Sequence, residues 1–242
     1  MLSKALICLA LLVAALPATA DVLFSTGFEA PDYVTGDLTG QQGWTISTTT
    51  TNVSVTGLSG YVIEGAQSML VTGNAGRAAM HSISGAGNLT RIEVKLAKAQ
   101  VNTGQWWVAL QKADGSGRSG VFGFNNGNIQ YYRGGSGWTT YSAFSAATAY
   151  AFTADVDIAN KTYALWVNGV LVDAAIPTYS TAAVIPEQVY LYRGYLSLTG
   201  LDTWANYAVA DSLAISSVPE PSSLLALVAG LGGVAGYIRR RR

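Results

Sequence analysis

Residues 150–172 read YAFTADVDIANKTYALWVNGVLV. From Tyr150 to Ile158, Phe152, Ala154 and Val156 fall on one side and Thr153, Asp155 and Asp157 on the other, the period of two that a strand with one buried face requires. Ala159-Asn160 supplies a turn. The alternation resumes with Tyr163, Leu165 and Val167 opposite Ala164, Trp166 and Asn168, and Asn168-Gly169 provides the two residues that accept positive φ in a two-residue hairpin loop before Leu171-Val172. A helical stripe cannot be drawn through the same residues, so this meander sets the class as all-β.

Working outward, the same pattern predicts strands at 22–28, 44–55, 61–64, 68–72, 77–82, 91–96, 105–112, 119–124, 129–133, 188–195 and 205–215. Arg91 to Leu96 alternates polar and apolar strictly and reads as a strand with one wet face. The glycines fall between these runs and the Gly-Ser-Gly segments at 115–120 and 134–137 read as hairpin tips. About a dozen short strands and no linker make residues 21–217 one domain, with the strands in two antiparallel sheets.

The two ends are different in kind. Lys4, an apolar run from Ala5 to Leu16, and Ala18-x-Ala20 form a secretory signal helix over residues 1–20. Cys8, the sole cysteine, lies inside it, so the mature protein is expected to be cysteine-free. At residues 218–242, Pro219-Glu220-Pro221 precedes an apolar stretch from Leu224 to Ile238 and then Arg239, Arg240, Arg241 and Arg242. The stretch is long enough for a short membrane helix, and the arginines would hold its end in the cytoplasm with the rest of the chain outside.

Triplet, span and terminal arginines together resemble the PEP-CTERM sorting signal of Gram-negative bacteria that make extracellular polysaccharide. That resemblance implies export through the inner membrane, anchoring by the C-terminal helix before processing, cleavage by an exosortase, and delivery to the cell surface or biofilm matrix. Residues 24–29 (FSTGFE), Gly43-Trp44, Trp106 to Leu110, the 163–169 hairpin and Val209 to Leu213 together resemble the concanavalin-A-like, laminin-G-like jelly-roll sandwiches. That likeness implies that Glu29 and Asp211, near the first and last strands, converge and help to hold a structural Ca²⁺ through hard oxygen ligands.

Composition narrows the function. The chain carries 14 basic and 14 acidic residues with one His and one Cys, which excludes a phosphate-binding basic face, an internal disulfide and a soft-ligand zinc site. The zero net charge is a cancellation, since the tail's arginines offset an excess of acids between residues 21 and 217. Aromatic residues exceed what a core needs, and Trp107, Tyr132, Trp138, Tyr141, Trp166, Tyr190, Tyr192 and Trp204 are the candidates for stacking on sugar rings. In Trp106-Trp107 and Tyr131-Tyr132 the neighbours must point to opposite sides of a strand, so one of each leaves the core. Asp155 and Asp157 share a face and repel unless a cation such as Lys161 is near.

No Glu-x-Asp-x-x-Glu run of the fold's hydrolases occurs. Tyr190 to Tyr195 with His81 only loosely echoes the lyases, and His81 reads first as a satisfied strand residue. The expectation is a non-enzymatic glycan-binding or structural sandwich; a polysaccharide lyase or hydrolase on the same fold is the alternative.

Overall fold

A computed structural model describes residues 20–47, 53–72, 76–101, 104–180, 184–194 and 207–218. Residues Val22–Ser217 form a compact unit. In chain order its strands are β1 (Val22–Thr26), β2 (Gly36–Asp37), β3 (Thr45–Ile46), β4 (Val53–Thr56), β5 (Ser68–Val71), β6 (Arg77–Ser82), β7 (Leu89–Lys98) and β8 (Trp106–Gln111). Then follow β9 (Ser119–Asn125), β10 (Asn128–Arg133), β11 (Gly137–Ala143), β12 (Tyr150–Asp157), β13 (Thr162–Val167), β14 (Val170–Pro177), β15 (Gln188–Arg193) and β16 (Ala208–Ser217). All pairings are antiparallel. One sheet runs β14-β13-β12-β7-β16-β5-β4-β2, with β1 also on β16, and the other runs β11-β10-β9-β8-β15-β6-β3. The protein is an all-β, two-sheet sandwich of jelly-roll type.

The core lies between the sheets and is built by the alternating residues. Ile92, Val94 and Leu96 of β7, Phe152, Ala154 and Val156 of β12, and Tyr163, Leu165 and Val167 of β13 meet Trp106, Val108 and Leu110 of β8 and Phe122 and Phe124 of β9. Phe122 stacks on Phe152 at 5.5 Å and Phe124 meets the same ring edge-on at 5.8 Å, geometries that suit aromatic quadrupoles.

Two polar tips cross this apolar layer. The Trp106 indole N–H donates to the Val209 carbonyl of the opposite sheet at 3.2 Å. In the other direction the Tyr163 hydroxyl lies 3.0 Å from the Val121 carbonyl and 2.9 Å from that of Tyr132. The β9–β10 register ends at Tyr131 and Phe122, and the single Tyr163 O–H proton is shared between two carbonyls at the end of this ladder. Burial holds its hydroxyl pKa well above the ordinary tyrosine value, and it remains a donor at every physiological pH.

The loop at Asn168-Gly169 has φ of 49° and 77°, the hairpin conformation that the Asn-Gly pair predicts, and Asn126-Gly127 repeats it at 48° and 74° between β9 and β10. Residues 61–64, read as a strand, are loop instead. Tyr61 and Ile63 pack with Tyr207 on Leu70, Ala97 and Val209 on the outer face of the larger sheet, so their two-residue spacing reflects a cover and not a strand. The cation beside Asp155 is Arg91, which donates to it through Nε and Nη2 at 2.6 and 2.8 Å; Asp157 accepts from the Asn160 amide and side chain, and Lys161 is in neither ion pair.

The signal helix expected over residues 1–20 lies outside the described residues but for Ala20, and the membrane helix expected within 218–242 lies outside them. Among the described residues no helix is long and apolar enough to cross a membrane.

Removing the Tyr163 hydroxyl takes away the one proton shared by the Val121 and Tyr132 carbonyls. Tyr163→Phe is expected to lower unfolding free energy by about 1–3 kcal/mol in urea titration; a change within experimental error would show that those carbonyls find other donors.

Candidate functional site

The face of the smaller sheet turned away from the core gathers most of the aromatic candidates. Trp106 points into the main core, whereas Trp107 joins Ala109 and Val121 in a separate cluster with Tyr132, Trp138, Tyr190 and Tyr192 against it. Tyr131 likewise faces the core and Tyr132 the other side. The pleat alone produces this split.

Register places Tyr192 opposite Trp107 across β15 and β8, and Tyr132 opposite Trp138 across β10 and β11. The rings form a continuous band. Centroids are 4.8 Å apart for Trp107–Tyr192, 5.4 Å for Trp107–Tyr190, 6.4 Å for Trp107–Trp138 and 5.7 Å for Trp138–Tyr132. Tyr179, in the loop after β14, extends it with its ring tilted against Tyr132, centroids 4.7 Å apart, and lines a hollow of about 300 Å³ with Lys161 and Thr178.

Gly123 is what lets β9 lie under this band. It is the register partner of Trp107, its φ is 150°, and a Cβ there would sit 2.3 Å from the Trp106 carbonyl oxygen and 2.7 Å from the Trp107 Cα. Beside the rings runs an amide relay in which Asn125 donates to Gln130, and Gln130 to Thr140, each at 2.9 Å.

Trp107 is the floor of the band and not its contact surface, since it is only 5% exposed. Above it lies Arg118, whose guanidinium carbon is 5.5 Å from the Trp107 ring and 5.2 Å from that of Tyr190. Its Nε donates to the Gln111 side-chain oxygen at 3.1 Å. Burial raises the Tyr190 hydroxyl pKa, opposed by Arg118 and assisted by Tyr192.

Tyr132, Trp138, Tyr190 and Tyr192 are half-buried and present accessible edges. Tyr141 sits instead at the register shift between β10 and β11, 39% exposed. Trp166 stands on the outer face of the other sheet, opposite Thr153 and Leu171. Trp204 lies outside the described residues, as do Pro219, Glu220, Pro221, Arg239, Arg240, Arg241 and Arg242.

His81 does not belong to this surface. Its register partner is Val189 of the core; it stacks on Phe24 at 3.8 Å, and its Nε2 lies 2.8 Å from the Gln42 carbonyl, so it is on the opposite side of the sheet from Tyr190 and Tyr192.

Glu29 and Asp211 meet at one loop. β16 changes its partner from β5 to β1 at Asp211–Ser212, where the pairing with β7 slips and Ser212 takes φ 48°. This bulge resets the pleat so that Leu213 and Ile215 rejoin the core. The Asp211 carboxylate, 1% exposed, accepts from Ser68 Oγ at 2.6 Å, the Ser212 amide at 2.7 Å and the Glu64 amide at 3.1 Å. Glu29 accepts from the Ala66 and Gln67 amides at 2.8 and 3.1 Å. The loop can wrap this closely because position 65 is glycine, where a Cβ would lie 2.0 Å from a Glu29 oxygen.

Burial raises the Asp211 pKa above its ordinary value; hydrogen bonds from Ser68, Ser212 and Glu64 lower it, and the Glu29 charge raises it. Glu29 also lines, with Asp32, Ser212 and carbonyl-bearing backbone, a cleft of about 420 Å³. All these donors are oxygen, which suits Ca²⁺. Among the described residues no group of three or more His, Cys, Asp or Glu is placed to hold a metal, so an ion here would rest on two carboxylates completed by carbonyl and water oxygens.

The pattern in sequence pointed to the rings but missed Arg118, Gln111 and Tyr179. Arg118 had a visible signal as the lone cation in a Gly-Ser hairpin tip beside the Trp-bearing strand; Tyr179 reaches the band from a loop distant in sequence.

Comparison with known proteins gives two results. Residues 217–242 match the PEP-CTERM protein-sorting motif, which implies export and processing by an exosortase. The sandwich is similar to solved structures that include a sialidase (TM-score 0.57, 12% identity, 74% of this chain) and the cellulose induced protein Cip1 (0.55, 17%, 81% of this chain and 97% of that one). It is also similar to domain 4 of the extracellular arabinanase AbnA from Geobacillus stearothermophilus, solved with arabinotriose (0.51, 15%, 87% and 99%). The chain spans 17% of the sialidase's length. At these identities the likeness is one of fold. No curated protein sequence matches the chain.

With divalent cations chelated, Asp211 should leave a signature in stability. Its folded pKa exceeds the unfolded value of about 3.9, so the folded state holds the extra proton between the two. Stability should therefore fall as pH rises through that window and level off above the folded pKa. Urea midpoints against pH for the native protein and for Asp211→Asn should show this decline in the native protein alone; parallel curves would refute the assignment.

Proposed function

We propose that the protein is an exported, non-enzymatic surface or matrix component that binds polysaccharide on the aromatic face of its smaller sheet. The observation that supports this best is the band itself: four half-buried Tyr and Trp rings around a buried Trp, on a sheet face that no other element of the described fold covers. Rings held by each other and by a sheet lose little entropy when a sugar stacks on them. Arabinotriose in the similar arabinanase domain is in keeping with the reading.

The PEP-CTERM tail accounts for delivery. The Pro219-Glu220-Pro221 triplet would serve as the exosortase's recognition element, the following apolar stretch would hold the chain in the inner membrane until cleavage, and Arg239 to Arg242 would keep the tail cytoplasmic. The product is a cell-surface or extracellular protein of a Gram-negative bacterium. A lyase or hydrolase on this scaffold is the weaker reading, because His81 is on the wrong side of the sheet and this face lacks, among the described residues, the two carboxylates that glycoside hydrolysis uses.

The processed protein should bind at least one polysaccharide in a glycan array. Tyr192→Ala and Tyr132→Ala should each weaken that binding about tenfold, the order expected for one aromatic contact, and Trp166→Ala should leave it unchanged. Absence of binding to every neutral and acidic polymer would remove the proposal.

The same proposal places a structural Ca²⁺ between Glu29 and Asp211, where it would neutralise two facing carboxylates and fix the 57–67 loop. Millimolar Ca²⁺ should then raise the melting temperature of the chelator-treated protein, and Glu29→Gln should abolish the rise. A melting temperature indifferent to both Ca²⁺ and chelator would leave the two carboxylates as loop caps alone.

A further inference from the structure

The glycan-binding reading leaves open which sugars the face would take, and Arg118 bears on that question. The other surface cations with defined partners are neutralised by acids: Arg91 by Asp155 at 2.6 Å, Arg133 by Asp173 at 2.9 Å, and Lys95 by Glu64. Arg118 is held differently. Two rings lie 5.2 and 5.5 Å from its guanidinium carbon and one neutral amide takes its Nε proton. Among the described residues its two terminal nitrogens have no hydrogen-bond acceptor and no carboxylate within ion-pair distance.

This arrangement has three physical consequences. A guanidinium stacked on aromatic rings is pre-oriented and partly stripped of water. Its remaining N–H groups form the planar fork that a carboxylate fills with two parallel hydrogen bonds. And because Trp107 is 5% exposed beneath it, a ligand lying on this part of the band meets Arg118 before it meets the indole.

The surroundings select the sign of the ligand. Off the core, β6, β8, β9, β10, β11 and β15 present Ala, Met, Ser, Trp, Gln, Val, Gly, Asn, Tyr and Thr; among the described residues no acid shares this face. Of the acids beside these strands, Asp114 belongs to the β8–β9 tip and Glu187 to the approach to β15, where they accept from Ser116 and from the Ala113 amide. The contrast with the larger sheet is sharp, for its outer face carries Arg91, Glu93, Lys95, Asp155 and Asp157. At the far end of the aromatic band Lys161 helps to line the hollow beside Tyr179, so a second cation stands where a polymer crossing the rings would emerge.

Resting on the glycan-binding reading, we infer that the aromatic face selects carboxylated, uronate-bearing polysaccharide, with Arg118 clamped over Trp107 and Tyr190 as the residue that pairs with a sugar carboxylate. The rings supply contact area to any pyranose; Arg118 supplies discrimination.

Binding of the processed protein to polygalacturonate, alginate and hyaluronate is compared with binding to the same polymers after methyl esterification, which keeps the backbone and removes the charge. The free acid of at least one should bind at least tenfold more tightly than its ester. Arg118→Gln should erase that preference, Arg118→Lys should restore part of it, and Tyr192→Ala should weaken both forms while keeping their ratio. Melting temperatures of the variants check that each is folded. Equal binding of acid and ester, a preference for neutral polymers, or a preference that survives in Arg118→Gln would overturn the inference while leaving a glycan-binding face standing. Failure to bind any polymer, neutral ones included, would overturn both.

Discussion

Two side chains that cross an apolar core and hydrogen-bond to the far sheet tie the two layers of the sandwich together. An indole N–H or phenol O–H buried without a partner is costly, so each crossing fixes the spacing and register of both sheets at one point. Tyr163 does this at the end of the β9–β10 ladder and takes the carbonyl of Tyr132 itself, whose side chain is in the aromatic band. Trp106 does it at Val209, two residues before the buried carboxylate of Asp211. Each pin therefore ends at or beside the aromatic band: Tyr163 holds the backbone of Tyr132, and the next residue after Trp106 is the floor of the band.

That adjacency follows from the pleat. In a strand the inward residue secures the sheet and its neighbour is thereby aimed outward, so a doublet of large aromatics serves both layers at once. Trp106-Trp107 and Tyr131-Tyr132 could be read this way from sequence because the rule depends only on the backbone, and the strands with one buried face, such as β7, β12 and β13, were legible for the same reason. β11 was not. No position in Gly137–Ala143 is buried, so the strand has no apolar phase to detect, and it exists because it pairs with β10 at the sheet edge. The pairing of Asp155 with Arg91 was hidden too, since it depends on which strand is laid beside β12, and so was Tyr179, which arrives from another part of the chain.

The two outer faces show how a sandwich can assign different work to its sides. The larger sheet shows water a mosaic of opposite charges paired across strands, the ordinary way to keep a broad face soluble and inert. The outer face of the smaller sheet has almost no charge among the described residues, and its side-chain amides pair with an amide, a hydroxyl, a backbone carbonyl and the Arg118 guanidinium. Its solitary guanidinium is tolerated because rings and an amide hold it. Charge pairs and aromatic rings are thus segregated on opposite sides of one sandwich.

The edge position of β11 has a further consequence. At the Tyr192 end, the aromatic band is rooted in Trp107, which shares a strand with three core residues, so changes there are felt by the whole sandwich. At the other end, Trp138 rides on a strand with no buried residue and Tyr179 on a loop, and neither is required for the core to close. Mutation can rework that half of the surface at little cost to folding while the other half stays fixed. A lineage could thus remodel one end of the aromatic face by drifting one edge strand, with the sandwich beneath it unchanged.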